Sequence, residues 1–434
     1  MTLLGGSLLG SRFSQNDIDN AVDSSLSAPS SAGRLIGKLS LDLSDATILV
    51  GSDSTGNESF EWVYLYSQWL ASKYPSYTVE YYLWDVVNKE FPSSPEVLQV
   101  GTGTNTLSIY NGAVGGSRPD YMLGERFSSF AIGKNADLII CNYGHNIAED
   151  SQSDSYKSSL YCKFLEFIVS VSEVNQDAGC IVVGQNPQRT NDKMKLVVEN
   201  ASLVASMMEC DYADAYTKFI KSGRPETMYL PSDVVHPSEE GQQVYLDAIK
   251  ALSISVSPRC VKHPTFEVKN NLIPENTFSN WSGTGLPSGF TRSGNALLSQ
   301  DITNLDIENF SLKIESSSAG AGNTFIQHTL DDKSLRIARG KTVISVMRFF
   351  RPAVSTPPTS GKVEIFINNS VRVETAEHTN LPLGRFHYRA IIAKIPVDAT
   401  SVKLNYYADD GTTDAEISIS AVGCFVGSLF GDIS

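Results

Sequence analysis

The chain is short of positive charge: 34 Lys and Arg stand against 48 Asp and Glu over 434 residues, a net charge of −14. No Lys/Arg block offsets this deficit, so nucleic acid and anionic membrane surfaces are poor partners. Long apolar runs are also missing. Nowhere do about 18 apolar residues follow one another, and membrane insertion is not expected. The opening "MTLLGGSLLGSRFSQ" lacks the basic start and long apolar core of a secretory signal, so export by the usual route is not expected either. The six cysteines contain no CxxC pair or other metal-ligand spacing. Most of them read as buried free thiols, with Cys260 and Cys424 left as one conceivable pair. Coiled-coil heptads and internal repeats are absent.

What is present is an alternation. Residues 1–44, rich in Ser, Gly, Asp and Asn, read as an N-terminal arm or linker. From 45 to 258, β-type runs ("TILV", "TVEYYLW", "ADLIICNYG", "GCIVVGQN", "CDYADAY") alternate with helical patterns, which predicts a parallel sheet covered by helices on both faces. Such a length carries more than one core. The segment "SPRCVKHPTFEVKNNLIPEN" spans the boundary, with 259–269 as linker. Over 270–434 the period changes to two. "KVEIFINNSVRVE", "FHYRAIIAKI", "SVKLNYY" and "AEISISAVG" alternate apolar with polar, and Asn368-Asn369 suits a hairpin turn, so an antiparallel β-sandwich is expected.

Four strand-end loops of the first domain gather reactive side chains. "ILVGSDSTGN" carries Asp53 and Ser54 in a tight turn after a strand. "YNGAVGGSRPDY" supplies Asn111 and flexible backbone N–H groups, "ICNYGHNIAED" supplies Gly144, His145 and Asn146, and "PSDVVHPSEEGQQ" sets Asp233 three residues before His236. A hydroxyl, an imidazole, a carboxylate and amide donors are the parts acyl transfer needs. Plainer roles exist for each. Ser54 or Thr55 suits a helix cap, Ser238 a cap with His236 at the helix entry, and Asn146 an Asx turn. Trp62, Leu65 and Trp69 recur at helical spacing and read as core.

In this order the four loops resemble the blocks of the SGNH (GDSL-type) hydrolase superfamily: Ser52-Asp53-Ser54 for Gly-Asp-Ser, Asn111 to Gly116 for Asn-x-x-x-x-Gly, Gly144-His145-Asn146 for Gly-x-Asn-Asp, and Asp233-x-x-His236-Pro237. Ser52 and Ile147 depart from the family pattern, and neither departure removes a catalytic group. The resemblance implies a flavodoxin-like three-layer α/β/α domain with no cofactor and no metal. It also implies Ser54 as nucleophile, His236 as base and acid, Asp233 as its orienting carboxylate, and an oxyanion hole from the N–H groups of Ser54 and Gly116 with the Asn146 amide. Asp53 and His145 would stand behind these groups.

The opening of the second domain, "NLIPENTFSNWSGTGLPSGF", resembles carbohydrate-binding jelly-roll modules, with Trp281, Phe290, Tyr406 and Tyr407 as stacking candidates beside a role in packing. An esterase joined to such a sandwich resembles bacteriophage tail-spike or tail-fibre O-acetyl esterases. That likeness implies an acetylated capsule or O-antigen as substrate, a place in the virion tail, other tail proteins as neighbours and a homotrimer. A secreted bacterial polysaccharide acetylesterase and a non-catalytic glycan-binding tail protein are the alternatives. A chain ending near Pro258 would retain every catalytic position and is expected to cleave small esters.

Overall fold

The computed structural model describes residues 28–151, 153–262, 271–273, 278, 286–293, 296–301, 311–316, 325–352, 361–374, 384–408 and 416–426. Its first part is a seven-stranded sheet ordered β3-β2-β4-β1-β5-β6-β7, with β1 Ala46–Ser52, β2 Thr78–Leu83, β3 Glu96–Gln99, β4 Thr106–Ala113, β5 Leu138–Asn142, β6 Gly179–Gly184 and β7 Asp211–Asp214. All neighbours run parallel except the edge strand β3, which lies antiparallel to β2. The expected parallel sheet thus gains an antiparallel edge, a common addition to sheets of this kind. Strands β1, β5 and β6 are apolar and buried on both faces, as central strands covered from two sides must be.

One face carries α1 (Gly33–Leu41), α2 (Trp62–Lys73) and, later in the chain, Glu239–Lys250. These helices bury Leu35, Trp62, Tyr66 and Tyr245 against Ile48 and Val50. Trp62 lies in this core, with Leu65 and Trp69 packed partly buried against it. The other face carries Asp154–Glu173 and Met194–Met207. Numbering the helices in chain order, Phe127–Ala131 is α3, Asp154–Glu173 α4, Met194–Met207 α5, Ala215–Lys221 α6, Glu239–Lys250 α7 and Asp332–Ala338 α8.

The expected N-terminal arm differs in its described part. Residues 33–41 form α1, whose Leu35, Ile36 and Leu39 are buried, and Ser30 bridges to the strand-like Ser257–Pro258 segment. The reason is an apolar stripe in "GRLIGKLSL" that the polar flanks hide in composition.

The second part is two five-stranded antiparallel sheets, β15-β12-β17-β10-β9 and β14-β13-β16-β11-β8. Here β8 is Phe290–Ser293, β9 Ala296–Asp301, β10 Ser311–Ser316, β11 Phe325–Thr329, β12 Thr342–Arg351, β13 Lys362–Ile367, β14 Val371–Glu374, β15 Arg385–Lys394, β16 Val402–Tyr407 and β17 Glu416–Val426. Val363, Ile365 and Ile367 all face the core, and Asn368 and Asn369 turn the β13–β14 hairpin with φ of 54° and 58°. All six cysteines are free; Cys260 is exposed while Cys424 is buried in β17, so the conceivable pair is not made. Of the stacking candidates, Phe290, Tyr406 and Tyr407 are buried, and Tyr406 bonds Ser345 at 2.9 Å inside the sandwich. Trp281 lies outside the described residues.

The two parts are joined along α4. Ser158 Oγ accepts the N–H of Ile392 at 2.9 Å and donates to its carbonyl at 3.1 Å. One helical turn on, the Cys162 thiol does the same for Ala390, and Glu166 pairs with Arg389 where both are buried. Strand β15 is a sheet edge, and side chains four residues apart on a helix take the place of the missing strand.

Candidate active site

The register of β1 sets the site. Ser52, its last residue, pairs with Ala113 at the end of β4 and with Asn142 at the end of β5, so the loops that follow all three strands leave the sheet side by side. Asn111 ties two of them: its amide donates to the Gly56 carbonyl at 2.7 Å and its carbonyl oxygen accepts the Ala113 N–H at 3.0 Å. Ser54 therefore sits in a braced turn. It is not a helix cap, because α2 starts eight residues later with Glu61 as N-cap.

Ser54 Oγ lies 2.9 Å from His236 Nε2, and His236 Nδ1 lies 2.7 Å from Asp233 Oδ2. Asp233 and His236 share a loop closed by three further bonds: Leu230 N–H to the His236 carbonyl, Asp233 N–H to the Leu230 carbonyl, and Arg189 N–H to the Val234 carbonyl. Ser232 takes a left-handed φ of 64° at its apex. Partial burial works against ionisation of Asp233, yet the N–H of Val235, the imidazole and the N–H of His236 together hold its carboxyl below the ordinary value. Ser238 caps α7 as its sequence suggests, accepting the Gly241 N–H, while His236 still faces Ser54.

Asn146 stands in a short 3-10 turn, His145–Ile147, and its amide donates to the Ser117 carbonyl at 3.0 Å. That bond uses one amide hydrogen and aims the group; the second hydrogen remains for a ligand. Gly115 and Gly116 are exposed at the end of the β4 loop. Gly116 takes φ of 76°, which suits glycine, and Gly115 lies against Ser54: a Cβ there would be 3.9 Å from the Ser54 Cβ. Gly115 is thus a neighbour the motif comparison did not single out.

Asp53 is fully buried and accepts from Thr55 N–H (3.1 Å), Thr55 Oγ1 (3.0 Å) and Gln185 Nε2 (2.9 Å). His145 bonds Asn186 Oδ1 through Nε2 at 3.1 Å, and burial holds its pKa below the ordinary value. Sequence reasoning named neither Gln185 nor Asn186, although the signal was there: small apolar "IVVG" giving way to amides at a strand end. Among the described residues no group of His, Cys, Asp and Glu is disposed to hold a metal ion, and no helix is long and apolar enough to cross a membrane.

No family model and no curated protein matches the chain. Among solved structures, it is similar to a two-domain esterase (CEX) active on acetylated mannans, at 12% identity over 89% of this chain and 91% of that one, with a TM-score of 0.34. A member of the lipolytic protein G-D-S-L family from Veillonella parvula DSM 2008 is 14% identical over 48% of this chain and 97% of that one, TM-score 0.33. The C-terminal family 22 carbohydrate-binding module of Clostridium thermocellum Xyn10B is 14% identical over 36% of this chain and 94% of that one, TM-score 0.28. The chemistry open to this chain is carried by its own side chains: a hydroxyl, an imidazole and a carboxylate joined by hydrogen bonds.

Proposed function

We propose that the chain is a serine ester hydrolase that removes O-acetyl groups from a polysaccharide. The observation that carries this is the relay Asp233–His236–Ser54, with bonds of 2.7 and 2.9 Å at the carboxyl edge of the sheet. Ser54 Oγ attacks the acyl carbonyl while His236 Nε2 takes its proton. The tetrahedral oxyanion is met by the N–H groups of Ser54 and Gly116 and the Asn146 amide; its electron pair then returns and expels the sugar oxygen, which leaves with the proton from His236. Water repeats the sequence on the acyl-enzyme and frees acetate. Asp233 keeps the proton on Nδ1 and stabilises the imidazolium.

A polymer rather than a small ester is favoured by the sandwich. Its outer sheet face holds a hollow of about 350 Å³ lined by Phe325, Phe366, Gln327 and Asn405, a mixture of rings and amides suited to sugar faces and hydroxyls. The finer assignment is a capsule or O-antigen deacetylase of a bacteriophage tail, acting at the host surface. Five buried free thiols suit a protein that folds in a reducing compartment before it acts outside.

Acetate release from a panel of acetylated bacterial and plant polysaccharides tests the proposal. The wild-type protein should release acetate from at least one, and Ser54→Ala from none. Equal release by both proteins would overturn it, and release from plant mannans or xylans alone would remove the phage assignment while leaving the esterase.

A further inference from the structure

Two residues outside the reaction scheme bond to the loops that carry Ser54, Asn146 and His236. Gln185, fully buried at the end of β6, donates through Nε2 to Asp53 Oδ1 at 2.9 Å and Thr55 Oγ1 at 3.1 Å, on either side of Ser54. Its Oε1 accepts the N–H of His145 at 3.0 Å, next to Asn146. That approach needs a glycine, since a Cβ on Gly144 would fall 2.7 Å from the same oxygen. Asn186, also buried, accepts at Oδ1 from His145 Nε2 at 3.1 Å and from the Tyr245 hydroxyl at 2.7 Å. Its Nδ2 donates to the Val235 carbonyl at 2.8 Å, one residue before His236, and its N–H donates to the Tyr245 oxygen at 2.7 Å.

A side-chain amide carries no charge, donates at one end and accepts at the other, and both amides use both ends. Because Asn186 Oδ1 can only accept, His145 carries its proton on Nε2, and the ring serves as a spacer of defined tautomer between the two loops. We propose that Gln185 and Asn186 are positioning residues that lock the nucleophile turn, the Asn146 loop and the Asp233–His236 loop into one reacting geometry. Gln185 spans the first two loops. Asn186, with His145, spans the second and third. The inference rests on the esterase reading, because it assigns these residues to the alignment of that relay. Active-site groups must be held within about 0.5 Å, and a misplacement of 1 Å costs on the order of 10² in rate.

The test compares wild type, Asn186→Ala and Tyr245→Phe. The second variant removes only the hydroxyl that holds Asn186. Sites reactive toward a fluorophosphonate are counted first, and kcat and KM for an aryl acetate are then expressed per reactive site. Asn186→Ala should lose roughly 10–10² in kcat per site with KM nearly unchanged, and Tyr245→Phe should lose less in the same direction. A purely structural role would lower the number of reactive sites and leave kcat per site alone; that result overturns the proposal. Should Asn186→Ala not fold, an unchanged kcat in Tyr245→Phe does so by itself. Wild-type protein that neither reacts at Ser54 nor cleaves ester overturns the esterase reading along with it, whereas active wild type with unchanged variants overturns the positioning role alone.

Discussion

At the scale of single residues, the relay and its amide donor make separable contributions. Ser54→Ala should abolish ester cleavage while leaving the thermal midpoint near wild type, because Ser54 is half-exposed and braced by neighbours rather than bracing them. Asn146→Ala removes one proposed oxyanion donor and should lower kcat by roughly 10²–10³; a change confined to KM would refute that role. Asp233→Asn should cost up to roughly 10⁴ in kcat, since an amide no longer fixes the imidazole tautomer. Stopped assays of the three variants on one aryl acetate rank these losses.

Single elements carry their own charge and bonding problems. Glu61, the N-cap of α2, is almost fully buried, and burial raises its pKa from an ordinary 4.5 to about 7 despite the N–H groups of Glu58 and Asn57. A carboxyl whose pKa rises on folding binds its proton more tightly in the native state. Its contribution to stability is complete below about 4.5 and is lost as pH climbs through about 7. Glu61→Gln keeps an acceptor for the Glu58 N–H and should melt higher than wild type at pH 8, with the difference vanishing toward pH 4.5. Helix α4 poses a hydrogen-bonding problem instead. Ser158→Ala leaves the buried N–H and carbonyl of Ile392 without their partner, at a cost of about 1–3 kcal/mol. Thermal melts should show the loss, with kcat per reactive site unchanged.

For the whole molecule, the junction alters what truncation does. All positions proposed as catalytic precede Pro258, yet one apolar cluster runs from Leu49 and Phe167 in the first part to Ile391 and Val422 in the sandwich. The Arg389–Glu166 pair would also be split, leaving a carboxylate once 1% exposed without its counter-charge. A chain ending at Pro258 is therefore expected to be insoluble or to lose its cooperative melt, and full-length protein to unfold in a single transition by calorimetry. Soluble, active truncated protein would show that the sandwich only sits beside the first domain.

The strand–helix alternation, the change to a two-residue period after the linker, and the candidate site residues Ser54, Asn146, Asp233 and His236 were legible in the order of the residues. Each of these is a local signal: periodicity, turn chemistry, or short spacing such as that between Asp233 and His236. Tertiary structure alone decided that residues 33–41 dock as a helix, that Phe290 and Tyr406 point into the sandwich while Tyr407 lines the hollow on its outer face, and that Gln185 and Asn186 join three loops. It also decided that Ser158 and Cys162 bond a strand more than 220 residues away. Those outcomes depend on which surfaces meet, and an amide or a small polar side chain carries the same local signal whether it faces water or a backbone edge from a distant part of the chain.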